Sequence, residues 1–143
     1  MSYFMRYIST DDLEITLEIL NKELQAVNQR YSVDESGELR FGDDVLGVVE
    51  INAPGQELFD EEIEELQEFV HDARGWKKKE VLKTFDAAKA IVAVQVLSGG
   101  QDSIQVLEKL MPLWDCLMSN RTGLLQADDE GYYNKSGLIL KVE

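Results

Sequence analysis

The chain has 143 residues and carries 28 acidic against 14 basic side chains, a formal net charge of −14 at pH 7. Its 44% hydrophobic and 29% charged residues exclude a disordered, collagen-like or low-complexity protein, and the length predicts a single domain over residues 1–143. Residues 1–70 hold 18 acidic and four basic side chains, so this half carries the whole negative excess. Such a field repels phosphate backbones and anionic lipids, and we expect neither a nucleic-acid nor a membrane partner.

The first 52 residues predict a strand, a helix and further strands. Residues 3–8 are rich in aromatic and β-branched side chains, which is typical of a strand. Leucines at helical spacing predict a helix from residue 13 to about residue 29, with Asp11 and Glu14 at the spacing of a capping box. Strands are predicted at 31–33, continued at 39–41 beyond a glycine turn, and at 45–52.

The rest of the chain repeats this alternation after a helical middle. Residues 58–70 predict a helix with an acidic outer face, and residues 76–89 fit either a helix or a short strand. Residues 91–97 are almost all apolar, as in a strand buried on both faces. A helix should begin at 102 or 103, with a kink or an interruption at Pro112. Strands follow at 124–127, with a short extension at 132–133, and at 138–142.

This order predicts an α+β fold with a mainly antiparallel sheet of about five or six strands and helices packed on one face. The order resembles the βαββαβ core of ferredoxin-like domains, or a duplicated β-α-β-β unit. The duplication would relate residues 1–52 to residues 90–143, joined by a helical connector at 57–89. An offset of 94 residues aligns the acidic turn at 34–37 with the one at 128–131.

Few residues suggest chemistry, and we predict no catalytic residue, metal or cofactor. The single histidine, His71, is placed near a helix end, where a surface role is expected. Cys116 lies in an apolar stretch beside Asp115, which disfavours a reactive thiolate. The acidic turns at 34–38 and 128–130 lack the ligand spacing of a calcium loop.

A weak ligand-binding signal lies between the buried strand and the helix that follows it. Ser98, Gly99, Gly100 and Gln101 could hold an anion on backbone N–H groups at the helix start, with Glu50 or Asp102 contributing a carboxylate. A turn that needs positive φ explains the glycines equally well.

We therefore expect a non-enzymatic protein-interaction or regulatory module rather than an enzyme. The acidic face of the 58–70 helix would contact a protein partner, for which a basic one suits the charge, through Glu61, Glu62, Glu65 and Glu68. A homodimer through a sheet edge or helix face would fit the same module. One alternative is a small-ligand-binding or enzymatic domain at 98–102. A second is an acidic nucleic-acid mimic using Asp43, Asp44 and the helix that contains Glu61. The single cysteine and the lack of a signal-peptide pattern favour the cytoplasm.

Overall fold

A computed structural model of the chain describes residues 3–97 and 103–142. In chain order these residues form the following elements: β1 (Tyr3–Ser9), α1 (Leu17–Val27), β2 (Tyr31–Val33), β3 (Glu38–Phe41), β4 (Asp44–Asn52), α2 (Glu57–His71), α3 (Lys78–Ala87), β5 (Ala90–Val96), α4 (Ser103–Asn120), β6 (Gly123–Ala127), β7 (Gly131–Asn134) and β8 (Gly137–Lys141). The segment at 76–89, for which the sequence allows a helix or a strand, thus contains a helix from Lys78 to Ala87. No helix of the described residues is both long and apolar enough to cross a membrane.

The strands form one antiparallel sheet in the order β2-β3-β4-β5-β1-β6-β7-β8. β1 lies near the centre, where Tyr7 is opposite Val92 of β5 on one side and Leu125 of β6 on the other. The α+β class and the antiparallel pairing are as predicted. The described residues contain eight strands, however, and the ferredoxin-like order is not confirmed.

Two tight turns explain the higher number of strands. The chain reverses after β2 and after β6, so that β3 and β7 are separate strands and not extensions of their predecessors. Gly37 in the first turn has φ 87°, and a Cβ there would lie 2.1 Å from the carbonyl oxygen of Val49. Gly131 after the second turn has φ 142°, and a Cβ there would lie about equally close to the carbonyl oxygen of Leu140. Only glycine fits such positions without strain.

The sheet is covered by helices on both faces, so the prediction that helices pack on one face is wrong. α1 and α4 pack on the side to which Tyr7, Val92 and Leu125 point. α2 and α3 pack on the other side, with Ile8 and Ile91. Successive residues of a strand point to opposite faces, and β1 and β5 carry apolar side chains at both sets of positions. Two hydrophobic clusters therefore sandwich the sheet.

Two helices differ from their predicted form. α1 begins at Leu17 rather than residue 13, because the N-cap is Thr16, whose hydroxyl accepts a hydrogen bond from the Ile19 N–H at 3.1 Å. Asp11 instead accepts from the Leu13 N–H at 3.0 Å and shapes the turn before the helix. α4 runs through Pro112 as one helix.

The proposed duplication has a partial counterpart in the element order. The strands and helix of 3–52 follow the order β-α-β-β-β, and those of 90–141 follow the same order. The two segments join the sheet differently, since β4, the last strand of the first, pairs with β5, whereas β6, the first strand after α4, pairs with β1. The internal repeat stays a prediction.

Candidate functional site

Arg6 is a charged residue inside an apolar strand. It lies on the face of β1 that α2 covers, and its side chain is only 15% exposed. Burying a guanidinium is costly unless carboxylates and hydrogen-bond acceptors surround it. Its surroundings therefore define the first place to look for a site.

Three acceptors from distant parts of the chain hold the Arg6 guanidinium. Nε donates to Glu62 of α2 at 2.6 Å, and Nη1 donates to Gln126 at 2.8 Å and to Asp128 at 3.0 Å. Gln126 also donates to Asp128 at 2.9 Å, and the other Asp128 oxygen accepts from the Phe4 N–H at 3.0 Å. Burial alone would lower the pKa of Arg6, but Glu62 and Asp128 outweigh it and raise the pKa above its ordinary value.

A cleft of about 510 Å³ opens beside this cluster, between α2 and the strands β1, β6 and β7. We call it the Arg6 cleft. Its polar lining comes from Arg6, Gln126 and four carboxylates, and its apolar lining includes two large side chains of α2. The carboxylates belong to Glu62, Glu65, Asp128 and Asp129, and the two apolar side chains are Leu66 and Phe69. Phe69 is 58% exposed, so an aromatic ring is available at the surface of the cleft.

The Arg6 cleft is electrostatically unbalanced. Four carboxylates face one guanidinium, and Glu62 Oε1 is buried without a hydrogen-bond partner among the described residues. Burial and the nearby Asp128 raise the pKa of Tyr132, which keeps its hydroxyl neutral, while Arg6 acts in the opposite direction. The polar groups of the described lining are chiefly carboxylates, which accept hydrogen bonds from a cationic donor.

The predicted partner-binding residues divide between the cleft and open solvent. Glu62 and Glu65 line the Arg6 cleft, whereas Glu61 and Glu68 are exposed on α2 outside that lining. Positions 62, 65, 66 and 69 recur at helical spacing and share the face of α2 that meets the cleft.

The predicted ligand-binding residues Ser98, Gly99, Gly100 and Gln101 lie outside the described residues, as does Asp102. Glu50, the other carboxylate considered for that site, is exposed on β4. The small-ligand hypothesis at 98–102 therefore stays a prediction.

The surroundings of His71, Cys116 and Asp34 indicate structural rather than chemical roles. His71 is the exposed last residue of α2, and its carbonyl accepts from Lys78. Burial, Glu23 and Asp115 raise the pKa of Cys116, which disfavours a thiolate. Asp34 accepts from the backbone of Ser36 and Glu38 within its own turn. In the described ranges, no three His, Cys, Asp or Glu side chains are grouped so as to hold a metal ion.

Sequence reasoning missed Arg6, Gln126 and Phe69. The available signal was the single charge in the strand at 3–8, which is otherwise apolar or aromatic. A buried charge in a strand requires partners. The local sequence does not identify the partners of Arg6, because they lie 56 to 122 residues away along the chain.

No protein-family model, curated protein or solved structure matches this chain.

Proposed function

We propose that this protein is a non-enzymatic protein-interaction module that binds a basic segment of a partner in the Arg6 cleft. The observation that carries the proposal is Glu62 Oε1, a buried carboxylate oxygen without a donor in the described part of the chain, in a cleft with three further carboxylates. A lysine or arginine side chain of the partner would supply that donor.

The apolar side of the cleft supports the same occupant. Phe69 and Leu66 lie beside the carboxylates on α2 and would contact the aliphatic stem of a lysine or arginine, or an apolar neighbour in the partner. Exposed aromatic residues are frequent anchors in interfaces. The charge of residues 1–70 would accelerate encounter with a basic partner.

Fluorescence anisotropy with a labelled peptide of alternating arginine and leucine tests this function. We expect binding that weakens about tenfold in Phe69→Ser, because the aromatic contact is lost. It should weaken about threefold in Glu65→Gln, because one exposed charge pair is lost.

Two matched variants control for position and charge on the same helix. Glu64→Gln removes an equally exposed carboxylate outside the cleft lining, and Leu58→Ser removes an exposed apolar side chain outside it. Both should bind like the unaltered protein. Equal losses in Glu64→Gln and Glu65→Gln, or no binding at low salt, would contradict the proposal.

The homodimer and the nucleic-acid mimic remain secondary proposals. The sheet ends in β2 and β8, and Leu138 of β8 is 50% exposed, so edge pairing is the natural route to a dimer. Sedimentation that gives only monomer would exclude it. The mimic loses support at Asp44, which pairs with Lys109 at 3.2 Å.

A further inference from the structure

A second cavity, of about 290 Å³, lies on the opposite side of the sheet from the Arg6 cleft. It is bounded by Tyr7 of β1, by Met118 and Arg121 at and after the end of α4, and by the β7–β8 turn with Lys135. We call it the Tyr7–Arg121 pocket. Tyr7 and Arg6 are consecutive in β1 and point to opposite faces, so the two sites are separate.

The Tyr7 hydroxyl is buried and unsatisfied. Tyr7 is fully buried, and its hydroxyl has no hydrogen-bond partner among the described residues. A Cβ at Gly123 would lie 3.0 Å from the ring carbon that carries this hydroxyl, which places the phenol end against a residue of the pocket wall. Buried hydroxyls are normally paired, so this one calls for a partner.

Arg121 presents a second unsatisfied donor to the same pocket. The residue is 7% exposed, and Nη1 alone contacts Glu23, at 3.3 and 3.4 Å to its two oxygens. Nε is buried and has no partner in the described ranges. Arg121 Nε is therefore a buried donor that lacks an acceptor within the part of the chain that the structure describes, and a guanidinium cannot accept hydrogen bonds itself.

The nearby acceptors are already engaged. Glu23 is directed at Nη1, and Asp11 accepts from the backbone N–H of Thr122 at 2.6 Å. Lys135, exposed on the pocket wall, adds a second positive charge. The unsatisfied polar groups are thus a guanidinium N–H and a phenol O–H, with an ammonium beside them.

We propose that the Tyr7–Arg121 pocket binds a small molecule through an oxyanion, a carboxylate or a phosphate group. One oxygen would accept from Arg121 Nε and another from the Tyr7 hydroxyl, which satisfies both buried donors with charge-assisted hydrogen bonds. Burial raises the pKa of Tyr7 to about 12, with Asp11 adding to the shift and Arg121 opposing it, so the hydroxyl keeps its proton for donation at neutral pH.

Nuclear magnetic resonance of the arginine Nε–H groups tests the proposal on the intact chain. Sodium acetate and inorganic phosphate are titrated separately, with sodium chloride at matched ionic strength as reference. We expect a saturable shift of the Arg121 Nε–H resonance with at least one of the two oxyanions and not with chloride. The two titrations show whether carboxylate or phosphate is preferred.

Two variants and a control decide whether the donors act as proposed. Tyr7→Phe keeps the buried ring and should weaken oxyanion binding about tenfold, since hydrogen bonds to charged groups are among the strong ones. Arg121→Lys should abolish binding, whereas Arg30→Lys, at an exposed arginine, should leave it unchanged. If Arg121→Lys does not fold, Tyr7→Phe still decides the question. Absence of a shift with both oxyanions, or unweakened binding by Tyr7→Phe, would overturn the proposal.

Discussion

Arg6 shows how a single residue can organise a site. Its donors connect β1 to α2 through Glu62 and to the end of β6 through Gln126 and Asp128. The pairing is partly desolvated, with 15% of the Arg6 side chain and 17% of the Glu62 side chain exposed. In such surroundings the loss of one partner is more costly than the net strength of the pair, because the remaining carboxylates stay partly desolvated without their cation.

We therefore expect Arg6→Met to lower the free energy of unfolding by about 3 kcal/mol. Urea unfolding followed by circular dichroism measures the change. Arg40→Met is the matched control, since Arg40 is also a strand arginine but its side chain is 44% exposed and forms an ion pair with Glu38. That change should cost at most about 1 kcal/mol. Equal effects of the two substitutions would mean that the Arg6 cluster has no special stabilising role.

Asp34 and Asp128 show the limit of residue-level prediction. Both lie in acidic turns before a glycine, so the local sequence does not distinguish their roles. Asp34 keeps its hydrogen bonds within its turn, and these lower its pKa. Asp128 reaches Arg6 and the Phe4 N–H across the sheet. Which turn belongs to the site depends on the pairing of β1 with β6, which no local pattern contains.

At the scale of elements, periodicity predicted most helices and strands, but it left 76–89 open between helix and strand and did not separate β3 and β7 from the strands before them. The apolar spacing in α1 continues upstream to Leu13, so the stripe alone places the helix start too early. Leu13 is 56% exposed, and the helix begins where Thr16 supplies a cap. A side-chain cap satisfies a backbone donor that the stripe does not report.

Thr16→Ala should lower the free energy of unfolding by about 1 kcal/mol, because the Ile19 N–H loses its acceptor. Thr16→Ser keeps a hydroxyl at the cap and should remain near the stability of the unaltered protein. Urea midpoints of the two variants test this. A Thr16→Ser variant as unstable as Thr16→Ala would show that the methyl group, and not the cap, matters there.

Pro112 offers a second test on an element. Pro112 predicts a kink or an interruption of the helix. α4 is not interrupted there, and buried Leu110, Leu113 and Trp114 lie around the proline, whereas the kink stays a prediction. Packing thus outweighs the missing N–H donor. Pro112→Ala restores that donor and should raise the free energy of unfolding by about 1–3 kcal/mol. A destabilised Pro112→Ala variant with native circular dichroism would indicate that the proline ring itself packs usefully.

For the whole molecule, the sequence predicted the α+β class but not that helices cover both faces of the sheet. The residues at 91–97 were expected to form a strand buried on both faces, and that expectation already requires covering on both sides of the sheet. The sequence predicts too few strands because β3 and β7 have only four residues each, and so short a pattern predicts an extension of the strand before it. Sheet order depends on pairings such as β1 with β5, between residues far apart in sequence. Such pairings leave no local trace.

The five tyrosines give a prediction for the whole molecule, because folding raises the pKa of every one. Burial is the largest cause in four, and for Tyr133 it is the hydrogen bond to Glu130. Tyr7 and Tyr133 reach about 12 from an ordinary value of 10.0. Between these values the unfolded chain releases phenolic protons that the folded chain retains. The free energy of unfolding should therefore be unaffected by tyrosine below pH 10 and fall as the pH rises from 10 to 12.

A spectrophotometric titration of phenolate, followed together with far-ultraviolet circular dichroism, measures this fall. We expect phenolate to appear mainly as helical signal is lost, whereas the chain unfolded in guanidinium chloride should titrate near pH 10. Phenolate that forms fully near pH 10 while the dichroism stays native would show that the tyrosines are not shielded.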